Sequence, residues 1–202
     1  MSDLPVSLPR ELESAFVAAL DRAGKLVAAL DALGPITDRD VLVIDASGGP
    51  IIDGLTAAGA RLTSVPGTSP LQLAAADASA DVVIGLWSAF RGVDAAELAE
   101  VDRVLRPGGR QLAVHDYGRD DVSRLHVEAE RPEYGAWSQR TGPFLTGGFK
   151  VRVVHCFWEF DSMEATFHFL KAAFDGVGEV IAESLKRPRL SYNVAVYHRS
   201  RP

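Results

Sequence analysis

Short apolar runs alternate along the chain with segments in which apolar residues recur every three to four positions. The runs predict strands at about 40–46, 61–65, 81–86 and 111–115, and the periodic segments predict helices at 51–58 and 95–105. Strands that alternate with helices are typical of an α/β domain with a parallel sheet covered on both faces. The sequence therefore predicts a doubly wound, mostly parallel sheet.

The two ends of the chain have different patterns. Residues 1–9 are expected to form a loose arm, in which Ser7 caps a helix and Pro9 lies in its first turn. Apolar residues at helical spacing then predict one helix that ends at Gly34. Later elements are expected as an aromatic-rich helix at 132–145, a strand at 149–160, one or two helices at 162–186 broken near Gly176 and Gly178, and a strand at 190–198. With no clear linker or repeat, residues 1–202 are interpreted as a single domain.

Composition narrows the classes of function. The chain has 202 residues, a net charge of −6 and a pI near 5.4, which disfavours a nucleic-acid interface or a polybasic membrane patch. A single cysteine, Cys156, cannot form an internal disulfide, so a cytoplasmic location is expected. His155, Cys156 and His168 are not spaced as metal ligands, so no metal site is predicted.

Two segments carry a resemblance to a known family. The sequence LRPGG at 105–109 lies between an amphipathic helix and a strand, and ADVVIGLWSAF occupies 80–90. Together they resemble the second half of class I S-adenosylmethionine-dependent methyltransferases, closest to the small-molecule group of the ubiquinone-biosynthesis type. The resemblance implies a Rossmann-like sheet of seven strands that ends with an antiparallel pair. Because only about fifteen residues separate the second strand from Asp81, we expect a sheet trimmed around the third strand.

The resemblance also implies a site for S-adenosylmethionine after the first strand. The family has an acid and a Gly-x-Gly-x-Gly turn there, and this chain has Asp45 followed by Ser47, Gly48 and Gly49. The turn either cradles the cofactor or only connects strand to helix, and Asp45 either holds the cofactor's amino group or caps the helix. The family's ribose-binding acid falls on Pro66 or Gly67. Further residues expected to line the cofactor side are Thr68, Trp87 and Ser88.

His115, Asp116 and Tyr117 follow a central strand at the edge where open α/β sheets bind ligands. They are predicted to face the methyl acceptor, a small molecule, with His115 as the general base. The alternative is a polar strand end without a catalytic role.

The degenerate cofactor motif leaves a second hypothesis open, a non-catalytic binding module or homodimer. Cations at 186, 187 and 189 either balance a helix dipole or bind phosphate.

Overall fold

The computed structural model describes residues 5–6, 8–46, 48–125 and 134–202. The helices are α1 (Arg10–Ala19), α2 (Lys25–Leu33), α3 (Pro50–Ala57), α4 (Ala95–Val104), α5 (Tyr134–Trp137), α6 (Pro143–Thr146) and α7 (Met163–Ser184), with a 3-10 turn at Val122–Leu125. The strands are β1 (Asp40–Ile44), β2 (Arg61–Val65), β3 (Ala80–Leu86), β4 (Leu105–Asp116), β5 (Lys150–Glu159) and β6 (Arg189–Ser200). None of the described helices is both long and apolar enough to cross a bilayer.

One six-stranded sheet organises the described part of the chain, in the order β2-β1-β3-β4-β6-β5. Strand β6 is antiparallel to both β4 and β5, whereas the pairs among β1, β2, β3 and β4 are parallel. The sheet ends at β2, because residues 66–79 form no strand. The predicted mostly parallel sheet, its antiparallel C-terminal pair and the loss of the third strand are all confirmed.

Side chains of the central strands alternate between two hydrophobic clusters, one on each face of the sheet. In β1, Val41 and Val43 pack into the cluster that includes residues of α1, α2, α3 and α7, while Leu42 and Ile44 pack into the cluster that includes residues of α4 and α6. Both faces of β1 are therefore buried, which explains its uninterrupted apolar run.

The N-terminal helix was expected to be continuous to Gly34, and this prediction is wrong. The chain leaves the helix at Leu20, which forms an isolated bridge to Trp158 at the sheet edge. Asp21 adopts a φ of 47°, and its carboxylate accepts hydrogen bonds from the backbone N–H groups of Lys25 and Leu26. Asp21 therefore starts α2 as a new helix, although the apolar spacing continues across the break. Ser7 lies outside the described residues.

The expected helix at 132–145 is also replaced, within the described residues, by the two short helices α5 and α6. The chain turns sharply at Gly142, where a Cβ atom would overlap the carbonyl oxygens of Ala136 and Trp137. Pro143 then occupies the first turn of α6, where its missing N–H costs no hydrogen bond. The break in α7, expected near the glycines, lies at Phe174 and Asp175, whose backbone angles are not helical.

The LRPGG segment, predicted to lie between a helix and a strand, directly follows α4 and forms the first five residues of β4. Asp94 caps α4 by accepting hydrogen bonds from the N–H groups of Ala96 and Glu97. The pairing of β3 with β4 then skips from Leu105 to Arg110, and Gly108 takes the positive φ of 77° that a type II turn requires. The segment thus sets the register of β4 and the position of its carboxyl end.

Candidate functional site

The carboxyl ends of β1, β2, β3 and β4 lie along one edge of the sheet, because these strands are parallel neighbours. Open α/β sheets bind ligands at this edge. The sequence placed one group of candidate residues after each of the four strands, so the topology brings all of these groups to the same edge. Their side chains, however, face different surroundings.

The turn after β1 exposes its backbone. Gly48 and Gly49 have φ angles of 97° and 101°, a region that residues with a side chain rarely adopt. A Cβ atom on Gly48 would meet no heavy atom within 4 Å, and Gly49 is the N-cap of α3. The turn therefore leads directly to a helix N-terminus with open space beside it, which is the geometry that accepts an anionic or polar ligand. Ser47 lies outside the described residues.

Asp45 links the ends of β1 and β2. Its Oδ1 accepts a hydrogen bond of 2.6 Å from the N–H of Gly67, and its own N–H donates to the carbonyl oxygen of Val65 at 2.8 Å. Among the described residues, the Asp45 carboxylate hydrogen-bonds to Gly67 and to no N–H of α3, so the structure does not show it as the cap of that helix. A Cβ atom on Gly67 would lie 2.5 Å from Asp45 Oδ2. The Asp45 carboxylate therefore occupies the place where a side chain at position 67 would begin.

Thr68 stabilises the loop that follows β2. Its hydroxyl donates to the carbonyl oxygen of Pro70 at 2.8 Å and accepts from the N–H of Gln72 at 2.7 Å. The side chain is exposed at the sheet edge, but both of its hydrogen-bonding roles are used within the loop. Thr68 therefore stabilises the conformation of the loop after β2 at this edge of the sheet.

The turn after β3 is strained and buried. Trp87 and Phe90 have φ angles of 54° and 58°, which are unusual for large side chains and occur more often at functional sites. Trp87 is 3% exposed and packs in the core, so its ring is not open to a ligand in this structure. Ser88 is 5% exposed, and its hydroxyl has no hydrogen-bond partner among the described residues.

Asp116 is a buried carboxyl group at the end of β4. It accepts a hydrogen bond of 3.1 Å from Trp87 Nε1 and another from the Tyr192 hydroxyl. Burial raises the pKa of Asp116 to about 6, against the opposing effect of these two hydrogen bonds. Burial, followed by the nearby Asp116, also raises the pKa of Tyr192 well above its ordinary value. The three side chains form a polar cluster inside the core.

His115 faces the opposite side of the sheet. It is fully buried, its Nε2 lies 2.8 Å from the carbonyl oxygen of Phe90, and its ring packs edge-on against Trp137 at 4.9 Å. The neutral ring donates through Nε2 to this oxygen, because a carbonyl can only accept. Burial lowers the pKa of His115 to about 4, so it is uncharged at neutral pH.

The predicted acceptor-side group therefore does not converge on one substrate. Alternation along β4 sends His115 and Asp116 to opposite faces of the sheet, and both are buried. The role of His115 as a base open to a substrate does not fit this position. Tyr117 is only partly buried, its N–H donates to the carbonyl oxygen of Asn193, and the guanidinium of Arg119 lies 5.6 Å from its ring.

Comparison with known proteins identifies the architecture. No protein-family model matches the sequence, and no curated protein is significantly similar to it. Among solved structures, a protein assigned as a type II methyltransferase from Anaeromyxobacter dehalogenans is similar, with a TM-score of 0.53, 18% identity and coverage of 87% of this chain and 94% of that chain. The chain has the class I methyltransferase fold.

Two further structures share the methyltransferase fold with this chain. One, assigned as a methyltransferase of Bacillus halodurans C-125, has a TM-score of 0.50 at 14% identity and covers 87% of this chain and 98% of its own. The other, a protein assigned as a methyltransferase from Haloferax volcanii, was solved in complex with the activator Trm112. It has a TM-score of 0.50 at 17% identity and covers 93% of this chain and 96% of its own.

Within this methyltransferase fold, the sequence reasoning missed Tyr192. The residue lies on β6, and only the antiparallel pairing of β4 with β6 brings its hydroxyl to Asp116. Alternating side chains in the last strand indicated a buried face, but not which residue of β4 that face would meet. Among the described residues, no three His, Cys, Asp or Glu side chains are grouped to bind a metal ion.

Proposed function

We propose that the protein binds S-adenosylmethionine at the carboxyl edge between β1 and β3 and transfers its methyl group to a small molecule. The observation that carries the proposal is the turn at Gly48 and Gly49, whose positive φ angles open the backbone next to the N-terminus of α3. The methyltransferase assignments of similarly folded proteins support it.

The position of the Asp45 carboxylate supports binding of the methyl donor through its ribose. The family's ribose-binding acid would lie at the end of the second strand, where this chain has Pro66 or Gly67. The Asp45 carboxylate fills the space next to Gly67, so β1 supplies a carboxylate to the end of β2. Asp45 would accept hydrogen bonds from the ribose hydroxyls, and the Ser88 hydroxyl would supply a polar group after β3.

The residues of the chain would contribute to the reaction mainly by positioning the methyl donor and the acceptor. Bound S-adenosylmethionine would supply an electrophilic methyl group, and the displacement needs the acceptor aligned in line with it. The buried His115 and Asp116 would support the edge from the two faces of the sheet. Tyr117, the least buried of the three predicted acceptor-side residues, would contact the acceptor.

The second candidate is a non-catalytic binding module or homodimer built on the same fold. The burial of His115 and the placement of Trp87 in the core favour it, because neither side chain is open to a ligand in this structure. The two candidates differ in a measurable way, since only the first forms S-adenosylhomocysteine as a product.

Ligand binding is tested by thermal unfolding with S-adenosylmethionine and S-adenosylhomocysteine. A ligand at 100 times its Kd adds about 2.7 kcal/mol, which raises the Tm of a domain of this size by about 5–10 °C. The absence of any shift at millimolar ligand would refute donor binding. Binding without product formation across a panel of small-molecule acceptors would favour the non-catalytic candidate, and size measurements in solution would then test for a dimer.

A matched pair of variants tests the role of Asp45. Asp45→Asn keeps the backbone conformation but removes the charge, and it should weaken binding by about 10–100-fold, since a hydrogen bond to a charged group is worth about 1.5–3 kcal/mol. Asp38→Asn is the control, because Asp38 is exposed and also has a positive φ, 57° against 55° for Asp45. Equal affinity in both variants would contradict the proposed contact.

A further inference from the structure

A second groove lies at the same edge of the sheet, on the side of β5 and β6. It has a volume of about 310 Å³ and is lined by the end of α7, the loop that leads into β6, Phe157 near the end of β5, and residues that follow β4. The groove is thus formed by segments distant in sequence, and it is separate from the glycine turn after β1.

Cations dominate the lining of this groove. Of the described residues, four cations contribute to it, Arg124, Lys186, Arg187 and Arg189, against one carboxylate, Asp121. This concentration of positive charge occurs in a chain whose net charge is −6. Surrounding acids would repel an anion elsewhere on the surface, so the groove is a local site of attraction.

The one acid in the lining already has partners. Asp121 Oδ2 accepts hydrogen bonds from the N–H of Ser191 at 2.9 Å and from its hydroxyl at 2.6 Å, and Oδ1 lies 3.5 Å from Arg124. Arg189 lies over the ring of Phe157 at 4.3 Å and 3.8 Å from Glu159. These contacts fix the walls of the groove.

Lys186 and Arg187 form no ion pair with any described residue, and both are exposed. A favourable interaction with the α7 dipole explains cations just after the helix ends at Ser184. It does not explain why Arg124, which comes from the segment after β4, lies in the same lining. A ligand with negative charge accounts for all of these groups together.

We propose that this groove binds the phosphate group of a small phosphomonoester. Guanidinium and ammonium groups match a tetrahedral dianion, and the volume suits a small molecule. Lys186 and Arg187, the two lining cations that form no ion pair with a described residue, together match the two charges of a phosphate dianion. The patch is too small, and the rest of the chain too acidic, for a nucleic acid or a membrane surface. The proposal does not depend on methyl transfer.

The test is calorimetric titration of the full chain with inorganic phosphate and with glycerol phosphate at low ionic strength, without a methyl donor. Glycerol is the uncharged comparison. Lys186→Gln combined with Arg187→Gln should weaken phosphate binding by about tenfold or more, and added salt should weaken wild-type binding. Both residues are exposed, so the variant is expected to fold, which circular dichroism checks.

The control removes the same charge elsewhere, by combining Arg10→Gln with Arg152→Gln, two exposed cations outside the groove. Its phosphate affinity should stay within about twofold of the wild type, because the groove is unchanged. The proposal is overturned if wild-type protein binds neither phosphate probe at millimolar concentration, if glycerol binds equally well, or if both double variants lose the same affinity.

Discussion

The neighbours His115 and Asp116 should make opposite contributions to the pH dependence of stability. Burial lowers the pKa of His115 from 6.5 to about 4 and raises the pKa of Asp116 from 3.8 to about 6. Between about pH 4 and 6.5, unfolded His115 binds a proton that the native residue does not, so this group makes stability rise with pH. Between about pH 4 and 6, native Asp116 binds a proton that the unfolded residue does not, so this group makes stability fall with pH.

The contributions of the two groups to the free energy of unfolding nearly cancel. At about 1.4 kcal/mol per pH unit, each group changes the free energy of unfolding by about 3 kcal/mol across its window. Both are at least nine-tenths buried, so solvent screening reduces these values little. The two residues together should therefore change wild-type stability by less than about 1 kcal/mol between pH 4 and 6.5.

Two variants separate the contributions. Asp116→Asn keeps an oxygen for Trp87 and Tyr192, and its stability relative to wild type should rise by about 3 kcal/mol from pH 4 to 6. His115→Gln keeps an N–H donor for Phe90, and its relative stability should fall by about 3 kcal/mol from pH 4 to 6.5.

The assay is urea unfolding at fixed ionic strength across this pH range, with each variant compared with wild type at the same pH. The comparison cancels the contribution of all other titrating groups that the substitution leaves unchanged. The assignment of opposite proton uptake to the two buried groups would be refuted if the stability of each variant followed pH in parallel with wild type. It would also be refuted if the relative stability of both variants changed with the same sign.

Three further predictions concern stability measured by denaturant unfolding. Gly67→Ala should cost about 1–3 kcal/mol because its Cβ would meet the Asp45 carboxylate, and the loss should shrink in an Asp45→Ala background; equal losses in both backgrounds would contradict the contact. Gly178→Ala should cost about 3 kcal/mol because its Cβ would overlap the Leu170 carbonyl, whereas Gly176→Ala, with no atom nearby, should change stability by less than about 1 kcal/mol. Asp94→Ala should cost about 1 kcal/mol by removing the α4 cap, and an unchanged midpoint would refute that role.

The sheet could be predicted because its signals are local. The buried run of β1 and the cap at Asp94 depend on nearby residues and agree with the tertiary structure. The break at Asp21 could not be predicted, since it depends on the bridge from Leu20 to a strand far along the chain. The apolar spacing of α1 and α2 is the same with or without that break.

The candidate site was predictable in position but not in orientation. The glycine turn after β1 carries its own backbone signal, the positive φ that Gly48 and Gly49 supply. The orientation of His115 depends on which residues cover each face of β4, and the partners of Asp116 depend on the register of β6. Alternation along a strand separates adjacent residues, so a polar triplet in sequence need not form a cluster.

The shortened sheet leaves β2 with a neighbour on one side only among the described strands. The N–H of Arg61 donates towards β1, to the carbonyl oxygen of Arg39, and the carbonyl of Val65 accepts from Asp45 on the same side. Backbone groups of Leu62 and Ser64 point the other way, because successive residues of a parallel strand alternate. Amide hydrogen exchange should therefore alternate along β2, slow at the odd-numbered residues and fast at the even-numbered ones.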